Sequence, residues 1–400
     1  MLLLDLTHTC HTQARTGVQR VARALQQNLG AGATAVTRDP FLGAWRVLEA
    51  WELANLSRSQ GGPKHGTQWQ TFAKWRGRWR RETGRTARYS LRGDFDGLIE
   101  PELFSPKVAR DLSKLDPHVH GPRVAVFFDA IALRIPELAP PGTVAWFPRY
   151  LRELLMFDGI ATISEDSRES LTGYWRWLGV TRSPPVAAIS LGVDCVKPVP
   201  DERLRPAPRR PVVLCVGTLE GRKNHVVLLE ACELLWIRGL DFELRLIGHV
   251  NAETGGVALA RARALQAAGR PLRYDGPADD EEIASAYAAC AFTVYPSIAE
   301  GFGLPVIESL KHGKPCICSA HGAVGESARG GGCIPLDAVA PPCLASAMDR
   351  LLTSPAELSA LSTAACGRNF KTWSDYAGEL TTWMQSLPRR RSSPDQASCQ

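Results

Sequence analysis

The sequence predicts an α/β protein of two doubly wound, Rossmann-like domains that face each other across a cleft. Three observations carry this expectation. Short apolar or β-branched runs alternate with helical patterns along most of the chain, and a proline-rich break divides those runs into two sets. The length of 400 residues also exceeds one ordinary domain of roughly 100 to 200 residues. Composition agrees, since 44% apolar and 22% charged residues supply large cores and lack the bias of a disordered chain.

In chain order, the first set of runs is Leu2–Leu6, Val124–Phe128, Ile160–Ile163 and Val186–Ile189. Continuous apolar strands separated by helices indicate parallel sheets covered on both faces. The break follows at Lys197 to Pro211, KPVPDERLRPAPRRP, where prolines at 198, 200, 206, 208 and 211 exclude a helix or a central strand. It reads as a linker. The second set is Val212–Val216, Glu243–Ile247, Phe292–Tyr295 and Cys316–Cys318. The expected organisation is a first domain over 1–196, a linker over 197–211 and a second domain over 212–372, with a disordered tail over 388–400. In such domains a ligand lies beyond the carboxyl ends of the strands.

Charge and cysteine usage bound the setting. A formal charge of +6 and a pI near 8.8 favour anionic partners only weakly. Eleven cysteines without a CxxC pair suit neither a disulfide framework nor a zinc site, so a reducing, cytoplasmic compartment is expected. The start, MLLLDL, lacks a basic region and meets Asp5 too early for a signal peptide. No run approaches the roughly 18 apolar residues of a membrane span. Attachment to a membrane surface stays open.

One stretch, within an insert at about 40–100, breaks the alternation. From Thr71 to Arg92 the bases are Lys74, Arg76, Arg78, Arg80, Arg81, Arg85, Arg88 and Arg92, against the single acid Glu82. Phe72, Trp75 and Trp79 recur at spacings of three and four, which puts them on one stripe of a helix. One reading makes residues 69–92 an interfacial segment that meets anionic lipid. The other packs the aromatics on their own domain and leaves the arginines merely solvated. A nucleic-acid partner is not expected, because the basic excess is local and no recognition module accompanies it.

The richest stretch for chemistry is FTVYPSIAEGFGLPVIESLKHGKPCICS, Phe292 to Ser319. A strand ends at Pro296, a loop carries Glu300, Gly301, Phe302, Gly303 and Leu304, and Pro305 is expected as the first residue of a helix. Glycines before a helix let backbone N–H groups approach a ligand, and the positive end of the dipole favours an anion. Glu308 lies eight residues after Glu300, one turn into that helix. Carboxylates only accept hydrogen bonds, so beside an anion they suit a ligand with hydroxyls, such as a sugar or a ribose. The plainer alternative is an acidic first turn next to an ordinary Gly-Pro loop.

A second piece is the turn after Val212–Val216, Gly217-Thr218-Leu219-Glu220-Gly221-Arg222-Lys223-Asn224. Asn224 is expected to cap the next helix. Arg222 and Lys223 place two cations in the expected crevice, where they could neutralise a departing diphosphate; a solvated basic turn is the plain alternative. Neither a P-loop nor a GxGxxG fingerprint occurs at these turns.

Together these residues resemble the GT-B-fold retaining glycosyltransferases of family 4. Glu300 and Glu308, within PSIAEGFGLPVIESLKHGKP, look like the family's E-x7-E motif, and VGTLEGRKN looks like its strand-loop diphosphate site. Phe127-Phe128-Asp129-Ala130-Ile131, ISEDSR from Ile163 to Arg168, Leu191-Gly192-Val193-Asp194 and Arg15-Thr16-Gly17-Val18-Gln19-Arg20 match its recurring segments. The resemblance implies transfer of a hexose from a nucleotide diphosphate sugar with retention at the anomeric carbon, without a metal or further cofactor. Glu308 would bind the ribose hydroxyls. Glu300 and the backbone of Gly301 to Leu304 would hold the donor sugar, Lys223 with Arg222 the diphosphate. Asp129 would lie near the reacting centre and Gly17 would face the phosphates. A last helix over 373–387 would return to the first domain. A growing surface polysaccharide or lipid-linked glycan is the expected acceptor, with mannose or rhamnose as the sugar.

Two positions depart from the family pattern. Phe128 stands where many members have His, and Thr218 where they often have Arg. These leave one reading from another class, a non-catalytic nucleotide-sugar-binding or scaffold subunit of a polysaccharide assembly complex. A same-fold nucleotide-sugar epimerase would need catalytic acids, and none is identifiable as such in the amino-terminal half.

Overall fold

The computed structural model describes residues 1–14, 16–58, 66–194 and 210–388. Of the expected linker only Arg210 and Pro211 fall within this range, and of the expected tail only Pro388. Arg15 also lies outside the described residues.

The first sheet has seven strands: β1 (Leu2–Asp5), β2 (Ala33–Asp39), β3 (Ala44–Val47), β4 (Leu98–Glu100), β5 (Arg123–Phe127), β6 (Gly159–Thr162) and β7 (Val186–Ala188). Their order is β3-β2-β1-β4-β5-β6-β7. All neighbours run parallel except β2 and β3, which pair antiparallel with Arg38 opposite Trp45. Helices α1 (Gly17–Leu29), α2 (Ala50–Leu56), α3 (Thr71–Glu82), α4 (Thr86–Tyr89), α5 (Pro106–Asp111), α6 (Ile131–Arg134), α7 (Pro141–Glu153) and α8 (Glu165–Trp177) join the strands.

Alternation along β1 and β5 shows why both faces are covered. Leu3, Ala125 and Phe127 join one apolar cluster with Tyr150 and Trp175. Leu4, Val124 and Val126 point the other way, into a cluster with Val21, Leu25 and Tyr376. Successive strand residues face opposite sides, so the runs Leu2–Leu4 and Val124–Phe127 are apolar without a break, and each fully buried Leu or Val contributes roughly 1.5–3 kcal/mol.

The second sheet is wholly parallel. It comprises β8 (Val212–Val216), β9 (Glu243–Ile247), β10 (Leu272–Tyr274), β11 (Phe292–Tyr295), β12 (Cys316–Ser319) and β13 (Cys333–Leu336), in the order β10-β9-β8-β11-β12-β13. Helices α9 (His225–Ile237), α10 (Gly256–Ala267), α11 (Asp280–Ala289), α12 (Leu304–Lys311), α13 (Gly322–Ala328), α14 (Pro341–Thr353) and α15 (Pro355–Cys366) cover it. The chain is thus two Rossmann-like domains with parallel sheets.

After α15 the chain runs back to the first sheet. Helix α16 (Trp373–Ser386) buries Tyr376, Leu380 and Met384 in the cluster that holds Leu4 and Val124. Gly159 permits this approach, since a Cβ there would lie 2.5 Å from Leu387 and 2.9 Å from Trp383. Val193 N also donates to Lys371 O at 3.0 Å. No helix among the described residues is long and apolar enough to cross a membrane. Nine described cysteines are free thiols.

The basic segment departs from the packed alternative. Helix α3 does form, but its buried residues are Ala73 and Gly77, while Phe72, Trp75 and Trp79 are 63%, 65% and 39% exposed. The reason is local. A Cβ on Gly77 would stand 2.8 Å from Phe41 Cβ and 3.2 Å from Leu42 N, so only the small-residue face can approach the sheet edge.

Candidate active site

The loop after β11 is tied to the turn after β8. Ile298 N donates to Arg222 O at 2.8 Å, and the Ser297 hydroxyl donates to the same carbonyl at 3.1 Å. This brings Glu300 onto both cations. Its Oε1 lies 2.6 Å from Lys223 Nζ and accepts from the Tyr295 hydroxyl at 2.8 Å and from Ser297 Oγ. Its Oε2 accepts from Arg222 Nη1 at 2.8 Å. Arg222 also pairs with Glu220 at 2.7 Å, and Lys223 Nζ donates to the Tyr295 hydroxyl.

The Glu300 and Lys223 side chains are only 10% and 11% exposed. Burial pushes the Glu300 carboxyl up, but Lys223 and Arg222 outweigh it and hold the group at about 2. Burial likewise opposes the charge on Arg222, and Glu300 with Glu220 more than restores it. Both cations are therefore neutralised by carboxylates.

The next residue touches the other domain. A Cβ on Gly301 would lie 2.8 Å from Phe128 O and 3.3 Å from Asp129 Oδ2, so the lack of a side chain permits the contact. Asp129 Oδ1 accepts from Ile131 N at 3.0 Å. Burial raises its pKa, while the Ile131 amide and Arg222 pull the other way. The Phe128 side chain packs in the apolar cluster of Ile163 and Leu191, with Phe302 against it. Thr218 is half-buried and makes no cation available at its position.

Two local expectations are corrected. Gly303, with φ of 95°, caps α12, so Leu304 is the first helical residue and Pro305 the second; only glycine enters this left-handed conformation without strain. Asn224 does stand at the cap position of α9, but in a left-handed conformation (φ 56°) and without a side-chain capping bond.

Glu308 forms a separate subsite. Its Oε1 accepts from Arg20 Nη1 at 2.6 Å, and its Oε2 from the Tyr287 hydroxyl at 3.4 Å. Tyr287 is buried and stacks on His312 at 5.0 Å between centroids. Arg20 stands three residues after Gly17, in the first turns of α1, and also donates to Asp194 Oδ2 at 2.7 Å. Exposed Gly17 is thereby brought to the cleft. On the far side, Glu326 of α13 accepts from the amides of Glu165 at 2.9 Å and Asp166 at 2.7 Å, the first residues of α8.

Glu300, Arg222 and Lys223 thus meet directly, Asp129 meets Gly301 of the Glu300 loop across the cleft, and Glu308 faces Arg20 behind. Sequence reasoning missed Tyr295, Ser297, Glu220, Tyr287, Arg20 and Glu326. Tyr295 sits in an apolar strand run, and nothing local to Arg20 announces a partner 288 residues away. The trio Cys10, His11 and Glu52 lies close enough to hold a metal, but Arg46 donates to both Glu52 oxygens at 2.7 and 2.8 Å and His11 to one of them, so that carboxylate is already neutralised.

With this geometry in view, comparison with known proteins is direct. Residues 199–367 match the family of glycosyl transferases group 1. The chain is 26% identical over 349 residues to the serotype-specific mannosyltransferase WbdA of Escherichia coli, covering 79% of this chain and 38% of that protein. It is 29% identical over 210 residues to the O-antigen chain mannosyltransferase B of Escherichia coli, 51% of this chain and 54% of that one. The chain therefore spans about two fifths of WbdA and about half of the second relative. Among solved structures, HepE of Anabaena in complex with UDP and glucose superposes with a TM-score of 0.69 at 14% identity, over 96% of this chain and 99% of that one. Sucrose-phosphate synthase from Thermosynechococcus elongatus gives 0.64 at 19% identity, over 96% and 97%. These likenesses show the GT-B fold.

Proposed function

The chain carries a glycosyl transferases group 1 domain on a GT-B fold, and we propose that it is a retaining hexosyltransferase that moves mannose from a nucleotide diphosphate sugar to a growing surface polysaccharide or lipid-linked glycan. The observation that carries the reading is Glu300, held ionised by Lys223 and Arg222 at the point where Gly301 meets Asp129. Mannose rather than another hexose is supported by the likeness to the mannosyltransferase WbdA and to the O-antigen chain mannosyltransferase B, and a nucleotide donor by the UDP bound to HepE.

The donor diphosphate takes over the cations that Glu300 now holds. As the bond from the anomeric carbon to the phosphate oxygen breaks, negative charge grows on that oxygen, and Lys223 and Arg222 stabilise it in a site from which water is largely excluded. Glu300, freed from part of its pairing, accepts hydroxyls of the sugar, and Glu308 accepts those of the ribose. The acceptor hydroxyl attacks from the face that the diphosphate leaves and gives its proton to the departing oxygen. Asp129, with its raised pKa, stands beside this centre and orients the acceptor. Two protein cations supply the charge that the departing diphosphate requires, so a metal is not assigned a step.

The test is transfer of labelled mannose from GDP-mannose to an isolated lipid-linked or oligomannose acceptor, alongside thermal shifts with GDP, UDP, dTDP and ADP. Transfer with stabilisation by one nucleotide is expected. Failure to bind any nucleotide sinks the reading. The apolar packing of Phe128 favours one alternative, a non-catalytic subunit, which predicts binding of one nucleotide with neither transfer nor slow hydrolysis of its sugar.

A further inference from the structure

The reaction leaves the outward face of α3 unused. A helix on a domain surface ordinarily turns its large apolar residues inward. Helix α3 does the reverse: Ala73 and Gly77 are buried, whereas Phe72 and Trp75 are among the most exposed large apolar side chains of the protein. At 3.6 residues per turn the aromatic stripe lies about 140° around the helix from the small-residue stripe, so a modest tilt cannot bury it.

Cations frame that stripe. The Arg76 guanidinium lies 4.9 Å from the Phe72 ring centroid and Arg85 4.8 Å from that of Trp79. Arg78, Arg81, Arg85, Arg88 and Arg92 are all exposed. From Thr71 to Arg92 the net charge is +7, against +6 for the whole chain; the rest of the protein is close to neutral.

We propose that this face docks on an anionic lipid bilayer, with the Phe72 and Trp75 rings at the depth of the headgroups and the exposed arginines on lipid phosphates. Charge complementarity selects the bilayer as occupant: aromatic rings sit in the interface while guanidinium groups reach anionic headgroups beside them. The mounting is rigid. Trp69, just before α3, stacks on His11 at 3.7 Å, Gln68 N donates to His11 O, and Arg76 pairs with Glu49.

The placement is also directional. Gly77 rests on residues 39–42, at the carboxyl end of β2, and His11 follows the carboxyl end of β1. In a parallel sheet these ends lie on one edge, and it is the edge that bears Arg20 and Asp129. A bilayer held by α3 therefore lies beside the opening of the cleft on the first domain's side. This docking goes beyond the reaction and stands or falls without it.

The experiment is flotation of the full chain with vesicles of phosphatidylcholine alone and with about 30 mol% phosphatidylglycerol. Binding to the anionic vesicles alone is expected, weakened by about 1 M NaCl and lowered roughly tenfold or more in the Phe72→Ala, Trp75→Ala double variant. Both side chains are exposed, so the variant's unchanged melting temperature serves as the folding control. Equal binding to neutral vesicles, flotation of the double variant like the wild type, or no flotation at all overturns the proposal. Binding of a single-stranded oligonucleotide, or dimerisation lost on changing Trp75, in a protein that does not float would assign the face to that other occupant and overturn it equally.

Discussion

Arg20 donates to Glu308 at 2.6 Å and so joins the first turns of α1 to α12 across the cleft. Burial disfavours the guanidinium charge, but Glu308 and Asp194 outweigh it and raise the Arg20 pKa. If Glu308 takes the ribose hydroxyls as proposed, Arg20 competes with them for its carboxylate. A partly exposed pair of this kind contributes about 1 kcal/mol. Arg20→Ala is expected to tighten binding of the nucleoside diphosphate roughly fivefold, read by titration calorimetry. Weaker binding would show that Arg20 contacts the nucleotide instead of competing with it.

Glu308→Ala and Lys223→Ala separate ligand contact from stability. Glu308 is 23% exposed and paired at the surface of the cleft, so its removal should leave the melt nearly unchanged while transfer falls roughly a hundredfold in kcat/KM. Lys223 is buried and holds Glu300 at 2.6 Å. Its loss leaves a buried carboxylate with Arg222 as its remaining cation, so both transfer and melting temperature should drop. Wild-type turnover in both variants would remove the site.

The Tyr295 hydroxyl is a positioning group. It receives from Lys223 Nζ and donates to Glu300 at 2.8 Å. Tyr295→Phe keeps the ring in the core and removes that link, and should lower kcat roughly tenfold with KM little changed. A variant that changes KM and leaves kcat intact would place Tyr295 in ground-state donor binding.

His225 sets a pH dependence of stability. Its ring is buried, and burial with the nearby Lys223 charge holds its pKa at about 4 against 6.5. Between pH 6.5 and 4 the unfolded chain binds a proton that the folded chain refuses. Stability from this group is thus complete above pH 6.5 and is lost as pH falls toward 4, by about 3 kcal/mol in all. Melting curves of His225→Leu should be flatter than wild type across that window. Parallel curves would assign the acid sensitivity elsewhere.

Much of the fold was legible because central parallel strands carry continuous apolar runs, as Leu2–Leu4 of β1, Val124–Phe127 of β5 and all of β8 do. The strands that went unread lack this signature. β3 is an antiparallel edge whose outer residue Val47 is half exposed, β2 mixes Thr and Arg into its run, β4 and β10 have three residues each, and β13 contains Pro335. In the site, the loop glycines and paired cations advertised themselves locally. The contacts of Arg20 with Glu308 and of Glu326 with α8 did not, since each joins segments more than 150 residues apart and depends on how the domains meet. For α3, periodicity defined the aromatic stripe but not its direction; the close fit of Gly77 on Phe41 decided that.

Glu326 fastens the second domain to the leading turn of α8 in the first. Were the two domains to part, the leading amides of α8 would exchange a carboxylate for solvent, and that carboxylate would be rehydrated. Swinging back restores both at once. The contact therefore favours approach of the two domains through its own pair of hydrogen bonds, independently of whatever lies between Glu300 and Asp129.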